Sequence, residues 1–105
     1  MMNDKLFEVL AEPNRRIILD HLRHGERTVG EIVEIMPLSQ PGVSKHLRIL
    51  REAGLVLVRK DAQRHLYRLH AEPLADIHHW LEPYRQFWTN KLEDLERALD
   101  QDESK

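Results

Sequence analysis

The chain has 105 residues, a length that suits one domain with a single core. It contains no cysteine, which excludes disulfides and thiolate metal sites. The formal net charge is −2, yet residues 40–70 carry 7 basic and 2 acidic side chains, whereas residues 71–105 carry 4 and 9. A basic segment of this kind favours a polyanionic partner, although the same pattern also arises on an ordinary solvated surface.

Nothing in the sequence predicts export or membrane insertion. The first five residues lack the basic-then-apolar layout of a signal peptide. The longest aliphatic run, residues 55–58, is far shorter than the roughly 20 residues that a membrane span requires. We therefore expect a cytoplasmic protein with no membrane partner.

Two short helices are predicted at the N-terminal end. The first covers residues 4–11, and its apolar residues at helical spacing are Leu6, Phe7 and Leu10. The second begins at Pro13, because proline suits the first turn of a helix, and it stops at Gly25. Its predicted buried residues are Ile17, Ile18 and Leu22.

A third helix is predicted to begin at Thr28 and to end at Pro37. Thr28 and Glu31 have the spacing of a capping box, in which each side chain satisfies a free backbone N–H beside the other. The apolar residues of this helix are Ile32, Ile35 and Met36.

A fourth helix follows, with Ser39 as its N-cap, Ala53 as its last residue and Gly54 as its stop signal. Its buried stripe is predicted to be Val43, Leu47 and Leu50, spaced i, i+4, i+7. A link as short as residues 37–39 forces the two helices to cross steeply. Residues 28–54 therefore predict a helix-turn-helix unit. The exposed face of its second helix carries Gln40, Ser44, Lys45 and Arg48, while His46 falls nearer the buried stripe.

A β-hairpin is predicted next, in residues 55–70. Residues 55–60 and 65–70 alternate and are rich in β-branched and aromatic side chains, with residues 61–64 between them. The turn contains no glycine, so its type stays open. The hairpin is basic, with Arg59, Lys60, Arg64 and Arg68, and with His65 beside them. Such a wing can reach the minor groove or the phosphates next to a recognition helix.

The C-terminal segment, residues 73–100, is predicted to be helical and to form a dimer. Its apolar residues follow a near-heptad spacing at Leu74, Ile77, Leu81, Tyr84, Trp88, Leu92, Leu95 and Leu99. Pro83 implies either a kink or a division into two helices. Residues 101–105 are polar and are predicted to be a disordered tail.

Residues 39–56 strongly resemble the recognition helix of the arsenic-repressor (ArsR) family of bacterial transcription regulators. Residues 11–16 and 65–69 match the same family, so the resemblance spans roughly residues 6–95. It implies a winged-helix homodimer that blocks a promoter and leaves it when an inducer binds. The expected fold is mainly α (α+β), with about five helices and a two-stranded wing. The family's base-contacting positions correspond to Gln40, Ser44, Lys45 and His46, with Arg48 on phosphate.

The chain departs from the metal-sensing members of that family. Their thiolate positions correspond here to Thr28, Gly30 and Val33. A second family site is matched only by its first half, Asp76 and His78, because its later positions fall at Thr89 and Leu92. A closed site generally needs about four ligands, so we expect no metal and no cofactor. The remaining metal hypothesis is an unforeseen arrangement of His21, His24, His78 and His79. The resemblance is closest to the metal-independent autorepressor branch.

The residues assigned to double-stranded DNA are Ser39, Gln40, Ser44, Lys45, His46, Arg48, Arg59, Lys60, Arg64 and Arg68. Those assigned to the homodimer are Leu6, Phe7, Leu10, Trp80, Tyr84, Trp88, Leu92, Leu95 and Leu99.

Two alternatives stay open at this point. One is a regulator whose aromatic C-terminal residues, Trp80, Tyr84, Phe87 and Trp88, line a pocket for a small organic ligand. The other is a protein-interaction module that keeps the fold without binding DNA. An enzyme fits worst, because no nucleophile–base pair or phosphate loop is visible.

Overall fold

The structure, a computed structural model, describes the backbone of residues 4–103 and the side chains of residues 4–101. Its helices are α1 (Asp4–Leu10), α2 (Pro13–Leu22), α3 (Val29–Ile35), α4 (Gln40–Glu52) and α5 (Ala75–Glu103). Its strands are β1 (Arg27–Thr28), β2 (Val56–Asp61) and β3 (Arg64–Leu69). A 3₁₀ turn, Glu72–Leu74, leads into α5. This order confirms the predicted mainly α winged helix-turn-helix fold.

The core lies where α1, α2, α3 and α4 meet the start of β2. Its most buried side chains, all fully inaccessible, are Ile18, Ile32, Leu47, Leu50, Leu55, Val43 and Val56. The stripe predicted on α4 is thereby confirmed. Among the described residues no polar or charged side chain is buried, so this core is held by apolar packing alone.

Ile17, which was predicted to be buried, is exposed, and so is Ile35. Ile17 is 41% exposed because α2 turns Ile18, Leu19 and Leu22 inward, which places Ile17 about 100° away from Ile18. Ile35 is 46% exposed because α3 ends there and Met36 turns into an extended conformation, which directs the Met36 side chain inward.

The predicted helix caps are present. Thr28 Oγ1 accepts a hydrogen bond from the backbone N–H of Glu31 at 3.2 Å, and Glu31 Oε1 accepts from the N–H of Thr28 at 2.9 Å. Ser39 Oγ accepts from the N–H of Gly42 at 3.3 Å and so opens α4. These caps fix where α3 and α4 begin, and thereby the geometry of the turn between them.

The wing is a three-stranded sheet in the order β1-β3-β2, where the sequence predicted two strands. Arg27 and Thr28 pair antiparallel with Tyr67 and Leu66. A two-residue strand is too short to show alternation, which is why the pattern missed it. The hairpin loop is Ala62-Gln63, between the paired residues Asp61 and Arg64.

The C-terminal helix α5 is continuous over 29 residues and includes Pro83, so the chain is not divided into two helices there. It also continues through residues 101–103, where a disordered tail was predicted, whereas residues 104–105 lie outside the described part. At its start it meets α1, since the rings of Phe7 and Trp80 are 5.7 Å apart in an edge-to-face contact. No helix in residues 4–103 has an apolar stretch long enough to cross a membrane.

Candidate nucleic-acid interface

The exposed face of α4 carries the polar side chains that the sequence assigned to DNA. Gln40, Ser44, Lys45 and Arg48 are all exposed. None of them has a hydrogen bond or ion pair within the described residues, so their donors and acceptors are available to a ligand. Gln40 and Arg48 are separated along the axis by about 12 Å, a length that follows about three to four base pairs in the major groove.

Ser39 stands at the N-terminus of the same helix. Its oxygen is occupied by the cap to Gly42, but a hydroxyl can still donate its proton. Pro41 has no N–H, and the N–H groups of Gly42 and Val43 already donate to Ser39. The N–H of Gln40 and the helix dipole are therefore what favour a negative charge at this end of α4. The first turn of α4 therefore suits a phosphate or the edge of a base.

His46 does not belong to this exposed face. Its side chain is only 16% exposed, and its ring lies between two residues of the N-terminal region of α2. Nδ1 is 3.5 Å from Arg15 Nη1, and Nε2 is 3.9 Å from Glu12 Oε2. The assignment of His46 to DNA is thus not supported by its position, because the buried stripe of α4 turns the ring towards α2.

The wing divides its basic residues between the two faces of the sheet. Successive side chains along a strand lie on opposite faces of the sheet, and the two residues of a cross-strand pair lie on the same face. The register pairs Lys60 with His65 and places them on the same face as Val58 and Tyr67. Arg59, Arg64 and Arg68 fall on the other face.

Arg59 of β2 forms a salt bridge with Glu26, which lies just before β1. Its Nε and Nη2 donate to the two carboxylate oxygens of Glu26 at 2.8 and 3.0 Å, a bidentate pair. This hydrogen bonding and the charges of Arg59 and Arg68 lower the pKa of Glu26 below its ordinary value of 4.5. The sequence assigned Arg59 to DNA and overlooked Glu26, since nothing in a linear pattern links positions 33 residues apart.

The other wing cations differ in their freedom. Arg64 pairs with Asp61 at the hairpin loop, with 3.2 Å between Nη2 and Oδ2, and its side chain is 64% exposed. Lys60 and Arg68 are exposed and have no hydrogen bond or ion pair within the described residues. Of the four wing cations assigned to DNA, these two are the ones that form no ion pair with an acidic side chain of the described residues.

The apolar residues assigned to a dimer fall into two groups. Leu6 is 3% exposed and belongs to the core of its own chain, together with Val9. The exposed members lie on α1 and α5: Phe7, Trp80, Tyr84, Trp88, Leu92, Leu95 and Leu99. Phe87, which the sequence did not assign to the dimer, is exposed beside them, and the whole group is 36% to 64% exposed. We call this group the α5 seam. Leu10, which is partly buried, packs against the core beside it.

Within the described residues, the aromatic side chains of the seam are largely exposed. Trp80 contacts Tyr84 with ring centroids 5.2 Å apart, and both are about half exposed. A hollow of about 140 Å³ beside Phe87, Asn90 and Lys91 is smaller than the roughly 300 Å³ at which ligand pockets begin.

The histidines do not gather into a metal site in the described residues. No three side chains of His, Asp or Glu within residues 4–101 lie close enough together to hold an ion. The ring of His78 is instead hydrogen-bonded to the guanidinium of Arg85, at 3.3 Å from Nε2 to Nη1.

A helix-turn-helix with an exposed second helix and a basic hairpin beside it defines a winged-helix DNA-binding protein. The model of the arsR family of bacterial regulatory proteins matches residues 12–58. The chain is 36% identical over 97 residues to the HTH-type transcriptional regulator Rv2034 of Mycobacterium tuberculosis, an alignment covering 92% of this chain and 88% of that protein. The chain therefore belongs to the arsR family, and it is a DNA-binding transcriptional regulator and not an enzyme.

Other members agree in sequence and in fold. The transcriptional repressor SdpR of Bacillus subtilis is 35% identical over 74% of this chain and 87% of its own. A crystal structure of a possible transcriptional regulator for arsenical resistance is 40% identical, with a TM-score of 0.66, over 90% of this chain and 94% of that one. A crystal structure of the ArsR family transcriptional regulator RHA00566 has a TM-score of 0.71 at 26% identity, over 85% of this chain and 97% of that one.

Proposed function

We propose that this protein is a homodimeric repressor that binds an inverted-repeat operator, and that it represses its own gene. The observation that carries the proposal is the α5 seam. Eight large apolar side chains, from Phe7 to Leu99, are exposed along α1 and α5. Monomeric soluble proteins rarely expose apolar patches of more than a few hundred Å², whereas larger ones mark interfaces.

A two-fold dimer explains this exposure. Leu92, Leu95 and Leu99 continue the spacing that pairs helices, and pairing α5 with its copy buries them. The neighbouring charged residues, Glu93, Asp94, Glu96 and Arg97, are exposed and stay in water. A two-fold axis then places two copies of α4 about one DNA turn, roughly 34 Å, apart, which predicts an inverted repeat.

Within each half-site, the proposed contacts come from α4 and the wing. Gln40 and Ser44 read base edges, while Lys45, Arg48, Lys60 and Arg68 neutralise phosphates. Ser39 and Arg64 add contacts at the edges of this surface. Arg59 serves to anchor the wing through Glu26, so that its charge reaches the DNA only in part.

The name of SdpR, a transcriptional repressor, supports repression. We further propose that the protein acts in the cytoplasm and without a bound metal or cofactor. Calorimetric titration with zinc should then show at most weak binding. The affinity for the operator should be the same with and without zinc. Sub-micromolar zinc binding that releases the DNA would contradict this part of the proposal.

Footprinting on the DNA upstream of the protein's own gene tests the central proposal. We expect protection of an inverted repeat whose two halves are centred about 10 base pairs, or a multiple of that, apart. Protection of a single half-site would overturn the dimeric arrangement. Absence of any protected site upstream of the gene would overturn autorepression.

A further inference from the structure

The half-buried position of His46 gives this residue a role other than reading bases. Both of its ring nitrogens face α2 and its N-cap instead of solvent: Nδ1 is 3.5 Å from Arg15 Nη1, and Nε2 is 3.9 Å from Glu12 Oε2. A guanidinium has only N–H donors, so Nδ1 must accept and the ring proton lies on Nε2, towards the carboxylate. The ring is therefore oriented by a cation on one side and an anion on the other.

Arg15 connects this ring to a second helix. Its Nε donates to the carbonyl oxygen of Val9, at the end of α1, at 2.6 Å. The next residue, Arg16, donates to the carbonyl oxygen of Leu10 at 2.7 Å. These carbonyls at a helix C-terminus have no partner within the helix, and cations are favoured there. Arg15 thus joins the end of α1 to the middle of α4.

Glu12 holds the same arrangement from the α2 side. Its carboxylate caps α2 by accepting from the backbone N–H of Arg15 at 3.1 Å, and it also accepts from Asn14 Nδ2 at 3.2 Å. The position of the carboxylate is therefore set by the backbone. We call Glu12, Arg15 and His46 the α2–α4 triad.

Packing alone leaves this junction incomplete. A cleft of about 280 Å³ opens beside the triad, lined by Arg15 and Val9 and, at the end of α4, by Ile49, Glu52 and the C-cap Ala53. On this side of α4, Ile49 and Ala53 pack against the core, and the triad adds polar contacts to α2 beside the cleft. A restraint of this kind affects the direction in which the exposed face of α4 points.

We propose that Arg15 and His46 are positioning residues for operator recognition, which orient α4 through the α2–α4 triad without contacting DNA. The inference builds on the proposed contacts of Gln40 and Ser44 with base edges. It predicts that loss of the triad weakens discrimination at every base pair that α4 reads. A direct contact by His46 would instead affect a single base pair.

A double-mutant cycle on the DNA segment recovered by footprinting, whether it holds one half-site or two, tests the proposal. His46→Leu removes the acceptor at similar size, and Arg15→Lys keeps the charge but cannot reach both Val9 O and His46. We expect each to lower affinity for the specific DNA about tenfold and the double variant to be no worse than either, because residues of one network couple. Affinity for random DNA should be unchanged.

His46→Asn is the matched control, because its amide oxygen can replace Nδ1 as the acceptor for Arg15 and so restore affinity. Additive losses in the cycle, or a His46→Leu defect confined to one base pair, would overturn the proposal. Failure of His46→Asn to restore binding would do the same. If circular dichroism shows that His46→Leu is unfolded, the test rests on the other two variants: Arg15→Lys should lower the affinity for the specific DNA and His46→Asn should keep it. If the wild type protects a single half-site and not an inverted repeat, that result contradicts only the dimer proposal, because the cycle can be measured on one half-site.

Discussion

At the scale of single residues, the chain separates side chains that face a ligand from side chains that hold the surface together. Gln40 and Ser44 are exposed and have no partner in the described residues, whereas Arg59 and His46 are held by residues of other elements. The sequence assigned all four to DNA. Residue type and helical spacing predict which side chains leave the core, but they do not show which acidic partner lies across the fold.

Replacing Gln40 or Ser44 by alanine should weaken operator binding by about 1–3 kcal/mol, because a base contact is lost. Each replacement should relax the base preference at one operator position. Fluorescence anisotropy with operators that carry single base-pair changes measures both effects. Arg48→Ala is the control, because loss of a phosphate contact weakens all sequences alike and flattens the salt dependence. Equal losses on operator and random DNA for Gln40→Ala and Ser44→Ala would contradict their assignment to bases.

Glu26 makes the stability of the wing depend on pH. Its pKa is lowered in the folded protein by the hydrogen bonds from Arg59. Its contribution is therefore complete above the ordinary value of 4.5 and is lost as the pH falls through the lower, folded pKa. Glu26→Gln should lower the unfolding temperature near neutral pH and should converge with the wild type in acid.

Calorimetric unfolding of both proteins over this pH range measures the convergence. Glu34→Gln replaces an exposed carboxylate on α3 and is the matched control. Its unfolding temperature near neutral pH should equal that of the wild type. A Glu26→Gln difference that stays constant from neutral to acid pH would show that the carboxylate charge does not contribute.

At the scale of elements, caps and apolar spacing predicted α3, α4 and the hairpin close to where they lie. Thr28, Glu31 and Ser39 bring their own hydrogen-bond partners within three residues, so local sequence suffices. Strand β1 depends on pairing with β3, whose residues lie 38 or more positions away in the chain. The continuity of α5 through Pro83 was likewise not predictable, because the helix-breaking tendency of proline allows either a kink or a division into two helices.

The hairpin loop offers a test of backbone strain. Ala62 has a φ of 56°, a region that costs a residue with a Cβ about 1–2 kcal/mol. Gln63 does not share a positive φ, so Ala62 alone carries this cost in the loop. Ala62→Gly should raise the free energy of unfolding by about 1 kcal/mol. Denaturant titration measures the change.

Gln63→Gly is the matched control for this loop. At a negative φ, glycine only adds conformational freedom to the unfolded chain, so this variant should be less stable than the wild type. Stabilisation by Gln63→Gly, or destabilisation by Ala62→Gly, would contradict the assigned turn geometry.

At the scale of the whole molecule, the longest dimension is 65 Å in a chain of this size, because α5 extends beyond the winged body. Every residue from 86 to 101 is exposed. The near-heptad spacing included Tyr84, Trp88, Leu92, Leu95 and Leu99 of this seam, whereas Leu74 and Ile77 of the same spacing pack against the chain's own core. The exposure of Leu92, Leu95 and Leu99 is what the proposed pairing with a second copy requires. A sequence pattern cannot by itself distinguish such a seam from a core stripe.

Replacing Leu92 and Leu95 together by aspartate should give monomers that lose operator affinity while every DNA-facing residue is intact. The introduced carboxylates of the two copies would face each other in the α5 pair, and burying like charges without cationic partners is unfavourable. Sedimentation of the variant and of the wild type measures the change in mass from the 12.5 kDa of one chain. The control is Asp94→Ser with Arg97→Ser, an exposed pair 3.5 Å apart, which should leave association unchanged. A wild type that sediments as a monomer and still binds the repeat tightly would refute the dimer.

The extension of α5 also separates charge in space. The basic residues of α4 and the wing stand at the body, while the stretch from Glu93 to Asp100 carries four acidic side chains and one basic one on the protruding helix. The molecule is consequently an electric dipole, and the field of a DNA duplex exerts a torque on it before any contact forms. The duplex attracts the basic body and repels the acidic helix, so collisions are turned towards the productive orientation. Added salt shortens the range of this torque, so the association rate should fall with salt, whereas repulsion between DNA and a net charge of −2 alone would make it rise.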